Sequence, residues 1–332
     1  VADFIGIVQG NILHPVILAF VLGIVAGMAR AELSIPSAIS KAMSIYLMFA
    51  IGLKGGVAVA ASPFSSTLIL ALLAGMVLSF VMPFIAFGLL GLTTKLDGIN
   101  RAAIAAHYGS ISIVTFVTAT EMVRLSGLYS EGFMVAVAAL METPAIITGI
   151  WLAGRMATDK TSGAPKKSLI TKDLAREVFL NASVVVLVGA FIIGLISTPE
   201  GVLKVDPFFN GIFQGVLCLF LLDMGLIAAE RLRGVKVLSR GMIMFGIYMP
   251  LIGATLGTLA GWAIGLSAGG TVLLATLAAS GSYIAVPAAM RLAMPKANPA
   301  MSLTLSLAIT FPFNVIVGIP LYLMAVRWLY GV

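Results

Sequence analysis

Fifty consecutive residues, 241 to 290, include no Asp, Glu, Lys or Arg. An uncharged run of that length has few homes in a folded chain. About 20 apolar residues already cross the hydrocarbon of a bilayer as one helix, and the turn LSAGG at 266–270 divides this run into two such crossings. The same reading applies along the rest of the chain, in which 60% of residues are hydrophobic and 10% charged. A water-soluble domain carries about a quarter charged residues. The expected fold is therefore an all-α polytopic membrane protein.

Ten spans are expected, near 12–30, 37–60, 65–92, 99–124, 131–155, 176–197, 207–230, 240–265, 270–293 and 299–328. Between the fifth and sixth lies TDKTSGAPKKSLITKD (158–173), polar, basic and punctuated by Gly and Pro. Residues 1–156 then form a first five-helix repeat, 157–174 a linker and 175–332 a second repeat. Five is odd, so the second half enters the membrane inverted. Three matches in the same order support a duplication: AIGLKGG (50–56) with DMGLIAA (223–229), HYGSISIV (107–114) with ASGSYIAV (279–286), and METPAIITGI (141–150) with ITFPFNVIVGI (309–319). The last pair slips by one residue. Such inverted repeats are a recurring plan of secondary transporters.

The net charge of +7 reports topology here, with no call for nucleic acid as a partner. Of the 20 Lys and Arg residues, only Lys54, Arg124, Lys204 and Arg327 fall on the side away from the linker. By the positive-inside rule the linker is cytoplasmic and both termini lie outside. The membrane expected is a bacterial plasma (inner) membrane. The opening VADFIGIVQG lacks the basic region and small-residue cleavage site of a secretory leader, so none is expected. The single cysteine, Cys218, excludes an internal disulfide framework.

Irregular backbone at membrane depth survives only where protein buries it or where it lines a cavity. AASGSYIAVPAAM (278–290) sets Ser280, Gly281, Ser282, Tyr283 and Pro287 inside the ninth span, and proline cannot continue the helical bonding. A break around Gly281–Tyr283 is expected. The related HYGSIS predicts another at Gly109, Ser110 and Ser112 in the fourth span. Two broken helices crossing near the midplane present N–H ends that favour an anion and carbonyl ends that favour a small cation. The alternative is that these serines back-bond within continuous helices.

Glu142 falls near the middle of the fifth span, where an ionisable group costs at least about 2.5–3.5 kcal/mol unless it is paired. It is a candidate sodium ligand beside Thr143, or else a protonated acid bonded to a neighbouring helix. Thr310 and Asn314 occupy the related place in the tenth span, next to Pro312, and oxygen donors of this kind suit a hard cation. Asn314 could instead serve as an interhelical bond. Asp223 and His107 are candidates for gating or pH response; a lone histidine donating to a carbonyl is the other reading of His107. No Ser-His-acid set, phosphate loop or metal-spaced His/Cys motif is present, so no enzymatic activity and no cofactor are expected beyond sodium as the coupling ion.

HYGSISIVTF, ALMETPAII, QGVLCLFLLDMGLIA, SYIAVPAAMRLAMPKANPAMSL and TFPFNVIVGIPLY resemble the sodium-dependent bicarbonate transporter family. The likeness runs over nearly the whole chain. It implies a ten-helix inverted repeat similar to bile-acid sodium symporters and cation/proton antiporters, with a gate domain and a core domain. It also implies sodium-coupled uptake by an elevator-like motion, a homotrimer, and, as in cyanobacterial relatives, a PII-like cytoplasmic regulator as a possible partner. The family's broken-helix motifs match at Gly109, Ser110 and Ser112 and at Ser280, Ser282, Tyr283 and Pro287. Its last-helix motif matches at Thr310, Phe311, Pro312, Phe313 and Asn314. The expected anion site is Gly109, Ser110, Ser112, Ser282, Tyr283 and Phe313; the expected sodium site is Glu142, Thr143, Ser280, Thr310 and Asn314. Bicarbonate, or another small anion, is the expected cargo. A cation/proton antiporter and an anion-binding regulatory membrane protein are the competing readings.

Overall fold

The computed structural model describes residues 14–61, 65–156, 182–234 and 237–332. Among these residues every regular element is a helix. In chain order they are α1 (Pro15–Met28), α2 (Ser37–Ala60), α3 (Ser66–Thr93), α4 (Gly98–Gly109), α5 (Ile113–Leu125), α6 (Met134–Leu140), α7 (Glu142–Met156), α8 (Ala182–Ile196), α9 (Pro199–Asp206), α10 (Phe213–Arg233), α11 (Arg240–Ala263), α12 (Ala268–Ala279) and α13 (Ala285–Ala293). The last, α14, runs over Pro299–Tyr330 and contains two π-helical turns, Leu305–Thr310 and Asn314–Gly318. Seven stretches among the described residues are long and apolar enough to cross a membrane, and three shorter apolar helices join them.

Several boundaries follow local chemistry. Ser65, Asp97, Ser239 and Ser267 each cap the helix they precede by accepting a backbone N–H, which satisfies one of the donors a helix start leaves free. Asp97 caps α4 with bonds from Ile99 N (3.0 Å) and Asn100 N (2.9 Å). The expected seventh span near 207–230 instead begins at Phe213. Residues before it form the exposed helix α9, capped by Thr198, and a π turn starting at Pro207. The two prolines and the charged Glu200, Lys204 and Asp206 hold that segment apart from the membrane-length helix. The linker expected at 157–174 lies outside the described residues.

The helices pack as two groups. In the first, a panel, α1 packs along α10 and α2 along α8, while α2 also meets α10. Glycines permit both crossings. A Cβ on Gly52 would stand 2.6 Å from Leu187 O, and one on Gly194 would stand 2.2 Å from Leu53 O. At the other crossing a Cβ on Gly225 would stand 2.3 Å from Phe20 O, and Gly27 faces Ala229 and Leu226. Close backbone approach of this kind is what holds helices together in lipid, where apolar side chains gain little by leaving the solvent.

The second group, the core, is built from α3, α4, α7, α11, α12 and α14 with the short helices α5, α6 and α13 between them. Its centre is the broken pair α4–α5 and α12–α13. Every residue from 102 to 119 is buried inside the protein, so this part of the span is surrounded by other helices. Panel and core meet through apolar contacts such as the edge-to-face rings of Phe20 and Phe311, 5.2 Å apart.

Candidate functional site

Both expected breaks are present. The fourth span stops at Gly109 and resumes at Ile113, with Ser110 (φ −88°, ψ 164°) and Ser112 (φ −103°, ψ 110°) extended. The ninth stops at Ala279 and resumes at Ala285, with Ser280 extended (φ −90°, ψ 159°). Pro287 falls in the first turn of α13, where a missing N–H costs nothing.

The breaks are bonded to each other. Ser112 N donates to Ser280 Oγ at 3.0 Å, and Ser280 Oγ donates to Leu277 O at 2.9 Å. Ser282 N donates to His107 O at 2.8 Å, and His107 Nδ1 reaches Ser282 O at 2.7 Å. Ser112 Oγ caps α5, accepting from Thr115 N at 3.2 Å and from the Thr115 hydroxyl at 2.9 Å. Ser282 Oγ is the weak counterpart on α13, 3.5 Å from Val286 N.

The tenth span braces this crossing. Asn314 Nδ2 donates to Ala279 O at 2.9 Å, while Asn314 Oδ1 accepts from the Tyr322 hydroxyl at 2.8 Å. The Thr310 hydroxyl donates to Gly246 O at 2.8 Å, which leaves its oxygen to accept from Tyr108 Oη at 2.5 Å. Asn314 thus bonds α12 through its amide nitrogen, and its oxygen, which accepts one bond, keeps a second lone pair.

Three buried hydroxyls around the crossing have no hydrogen-bond partner: Ser110 Oγ, Tyr283 Oη and Ser306 Oγ. Tyr283 lies beside Ser112 without making a well-formed bond to it, and its ring meets Phe311 edge-on at 5.6 Å. Ser306, on the first π turn of α14, faces Gly281: a Cβ on that glycine would stand 3.2 Å from Ser306 Oγ and 3.7 Å from the Tyr108 ring. An unsatisfied buried hydroxyl costs about 1–3 kcal/mol. Three of them around one crossing leave hydrogen-bonding capacity unused there.

Other expected residues have different surroundings. Gly109 is a packing residue, since a Cβ there would stand 2.4 Å from the Pro83 ring and 2.9 Å from Ala145 Cβ. Phe313 is only half-buried; Phe311 supplies the ring contacts with Tyr283 and Phe20. Glu142 is buried at the start of α7, one turn before Ala145, and its Oε2 has no partner. Thr143 instead lines an apolar cavity of 680 Å³ between α3, α6, α7 and α8, with Met76, Leu140, Pro144 and Phe191. Proline at 144 disrupts the fifth span, and Ser79 repairs the gap: its hydroxyl donates to Met141 O at 2.5 Å and accepts from Ala145 N at 3.2 Å. Asp223 is buried on α10 beside Ser40, with Oδ2 unpartnered. His107 lines a smaller cavity of 160 Å³ with Ala103, Pro287, Met290, Met294 and Ser302.

A polar cluster absent from the sequence reading joins core to panel. Glu121 on α5 accepts from Arg124 Nη2 at 2.6 Å and Nε at 3.0 Å, and from Gln214 Nε2 on α10 at 2.5 Å. Lys54 on α2 stands beside it, its ammonium 4.3 Å from the centre of the Phe213 ring.

A family model described as the Na+-dependent bicarbonate transporter superfamily matches residues 15–327, nearly the whole chain. Among curated proteins nothing matches.

Proposed function

This chain belongs to the Na+-dependent bicarbonate transporter superfamily, and from that premise we propose that it is a sodium-coupled symporter of a small anion, bicarbonate first, working by an elevator-like motion of core against panel. The observation that carries the reading is the pair of mutually bonded breaks surrounded by three unpartnered hydroxyls. Ser110, Tyr283 and Ser306 are the donors for a bound anion, aided by the free N–H groups at the starts of α5 and α13. Ser112, Ser280, Thr310 and Asn314 hold the frame through the hydrogen bonds their side chains make. Glu142 supplies the negative charge that a sodium ion would meet.

The inverted repeat finds support in the panel glycines. Under the register that aligns AIGLKGG with DMGLIAA, Gly52 corresponds to Gly225 and Leu53 to Leu226. Gly52 meets Leu187 as Gly225 meets Phe20, and Leu53 meets Gly194 as Leu226 meets Gly27. From Leu187 to Gly194, and from Phe20 to Gly27, the chain steps by the same two helical turns. Two crossings that exchange under one register are what a duplicated and inverted unit produces.

Labelled bicarbonate uptake into proteoliposomes tests the function. Uptake should require an inward sodium gradient, and uptake indifferent to sodium would remove the coupling. Glu142→Gln should raise the sodium concentration for half-maximal uptake about tenfold, the factor that ~1.4 kcal/mol makes; an unchanged value would clear Glu142 of the role. A buried carboxyl with a free oxygen also suits proton exchange, and a pH-sensitive dye inside vesicles in bicarbonate-free buffer separates that second reading: alkalinisation of the lumen as sodium enters would favour an antiporter.

A further inference from the structure

His107 is the residue by which one broken span grips the other. Its backbone carbonyl accepts from Ser282 N at 2.8 Å and its ring Nδ1 lies 2.7 Å from Ser282 O. A carbonyl oxygen can only accept, so Nδ1 carries the hydrogen. Both main-chain groups of Ser282 are thus bonded to a single residue of the other span. Break residues have no helical partners of their own, and a buried backbone group without a partner is costly. His107 supplies both partners at once, and it does so from a position that is 1% exposed.

We propose that His107 is a positioning residue for the transport site, resting on the symport reading above: its imidazole fixes the path of residues 280–284 and so sets where Gly281, Ser282 and Tyr283 stand relative to Ser110 and Ser306. The backbone half of the grip is available to any residue at 107. The ring half is not, because it needs a donor at the Nδ1 position. Ser282 O is consequently committed to His107, and Ser282 serves the site through its hydroxyl, which holds only the weak bond to Val286 N. His107 also lines the 160 Å³ cavity beside Met290 and Met294.

The prediction separates ring donor from ring bulk. His107→Asn keeps an N–H donor near the Nδ1 position; His107→Leu keeps comparable volume without one, and His107→Met serves as a second donor-free variant should His107→Leu not accumulate. Two readouts are taken on the full-length protein. The first is hydrogen exchange of peptides covering 280–286, with α12 as internal reference: protection should fall in the donor-free variant and persist in His107→Asn. The second is sodium-driven bicarbonate uptake, where the donor-free variant should need about tenfold more bicarbonate for half-maximal rate and His107→Asn should recover most of it. Equal protection of 280–286 in all variants overturns the proposal, as does an unshifted bicarbonate concentration for half-maximal uptake in the donor-free variant. If exchange behaves as expected while the unmodified protein takes up bicarbonate without sodium, the grip stands and the symport reading fails.

Discussion

Ser306 is fully buried, and its hydroxyl meets no partner. An apolar replacement of similar size removes an unsatisfied group, so Ser306→Ala should leave thermal stability unchanged or raise it by about 1 kcal/mol. The same replacement should weaken anion uptake if the hydroxyl serves a guest. Stability up and transport down is the signature to measure, by thermal unfolding in detergent and uptake in vesicles; loss of both would make Ser306 a structural residue. Sites that hold a residue at a local cost commonly behave this way. Glu142 was legible in the sequence because a lone acid stands out in an apolar span. Ser306 was not, since the hydroxyls at 302, 306 and 310 recur every four residues along one helix and nothing local marks which of them faces Gly281. Ser79 was equally silent: a single serine among apolar residues gives no hint that it completes a neighbouring helix.

At the scale of elements, the breaks were readable because proline, glycine and serine act on their own backbone, and the chemistry that interrupts a helix is local. Which helix lies across from which is not local, and the sequence held only the raw material for it in its glycines. Gly23 shows the constraint: a Cβ there would stand 2.1 Å from Leu222 O, a backbone atom that cannot turn aside. Gly23→Ala should push α1 off α10 and lower the yield of folded protein, whereas Gly88→Ala, which would meet nothing within 4 Å, should be neutral or stabilise α3 by about 0.5–1 kcal/mol. Size-exclusion profiles of the two variants in detergent decide it, and equal behaviour would mean the α1–α10 approach is dispensable. Asp97 illustrates a boundary set by charge. Partial burial raises its pKa, but the bonds from Asn100 and Ile99 outweigh that and hold it below the usual carboxylate range. Its contribution to α4 is therefore complete at neutral pH and is lost as the pH falls from the ordinary carboxylate value through the depressed one.

Across the whole molecule, composition and charge placement anticipated a many-spanning helical protein, and the family model agrees over residues 15–327. The Glu121–Gln214 bond lay beyond that reading because its two ends are 93 residues apart on helices of different groups. It is a polar tie across an apolar seam. If the core slides along the panel, this bond breaks in every cycle, so Gln214→Leu should raise the maximal uptake rate with half-saturating sodium and anion concentrations unchanged. A fall in rate would show that the tie guides the motion instead. The two motifs aligned in the sequence also differ in length at one spot. METPAIITGI and ITFPFNVIVGI differ by one residue between the shared proline and the shared Gly-Ile pair, and the π turn at Asn314–Gly318 occupies that interval. A turn that closes its bonds over five residues absorbs one more than an α turn does. The extra residue that ITFPFNVIVGI carries before its Gly-Ile pair thus coincides with a local widening of α14.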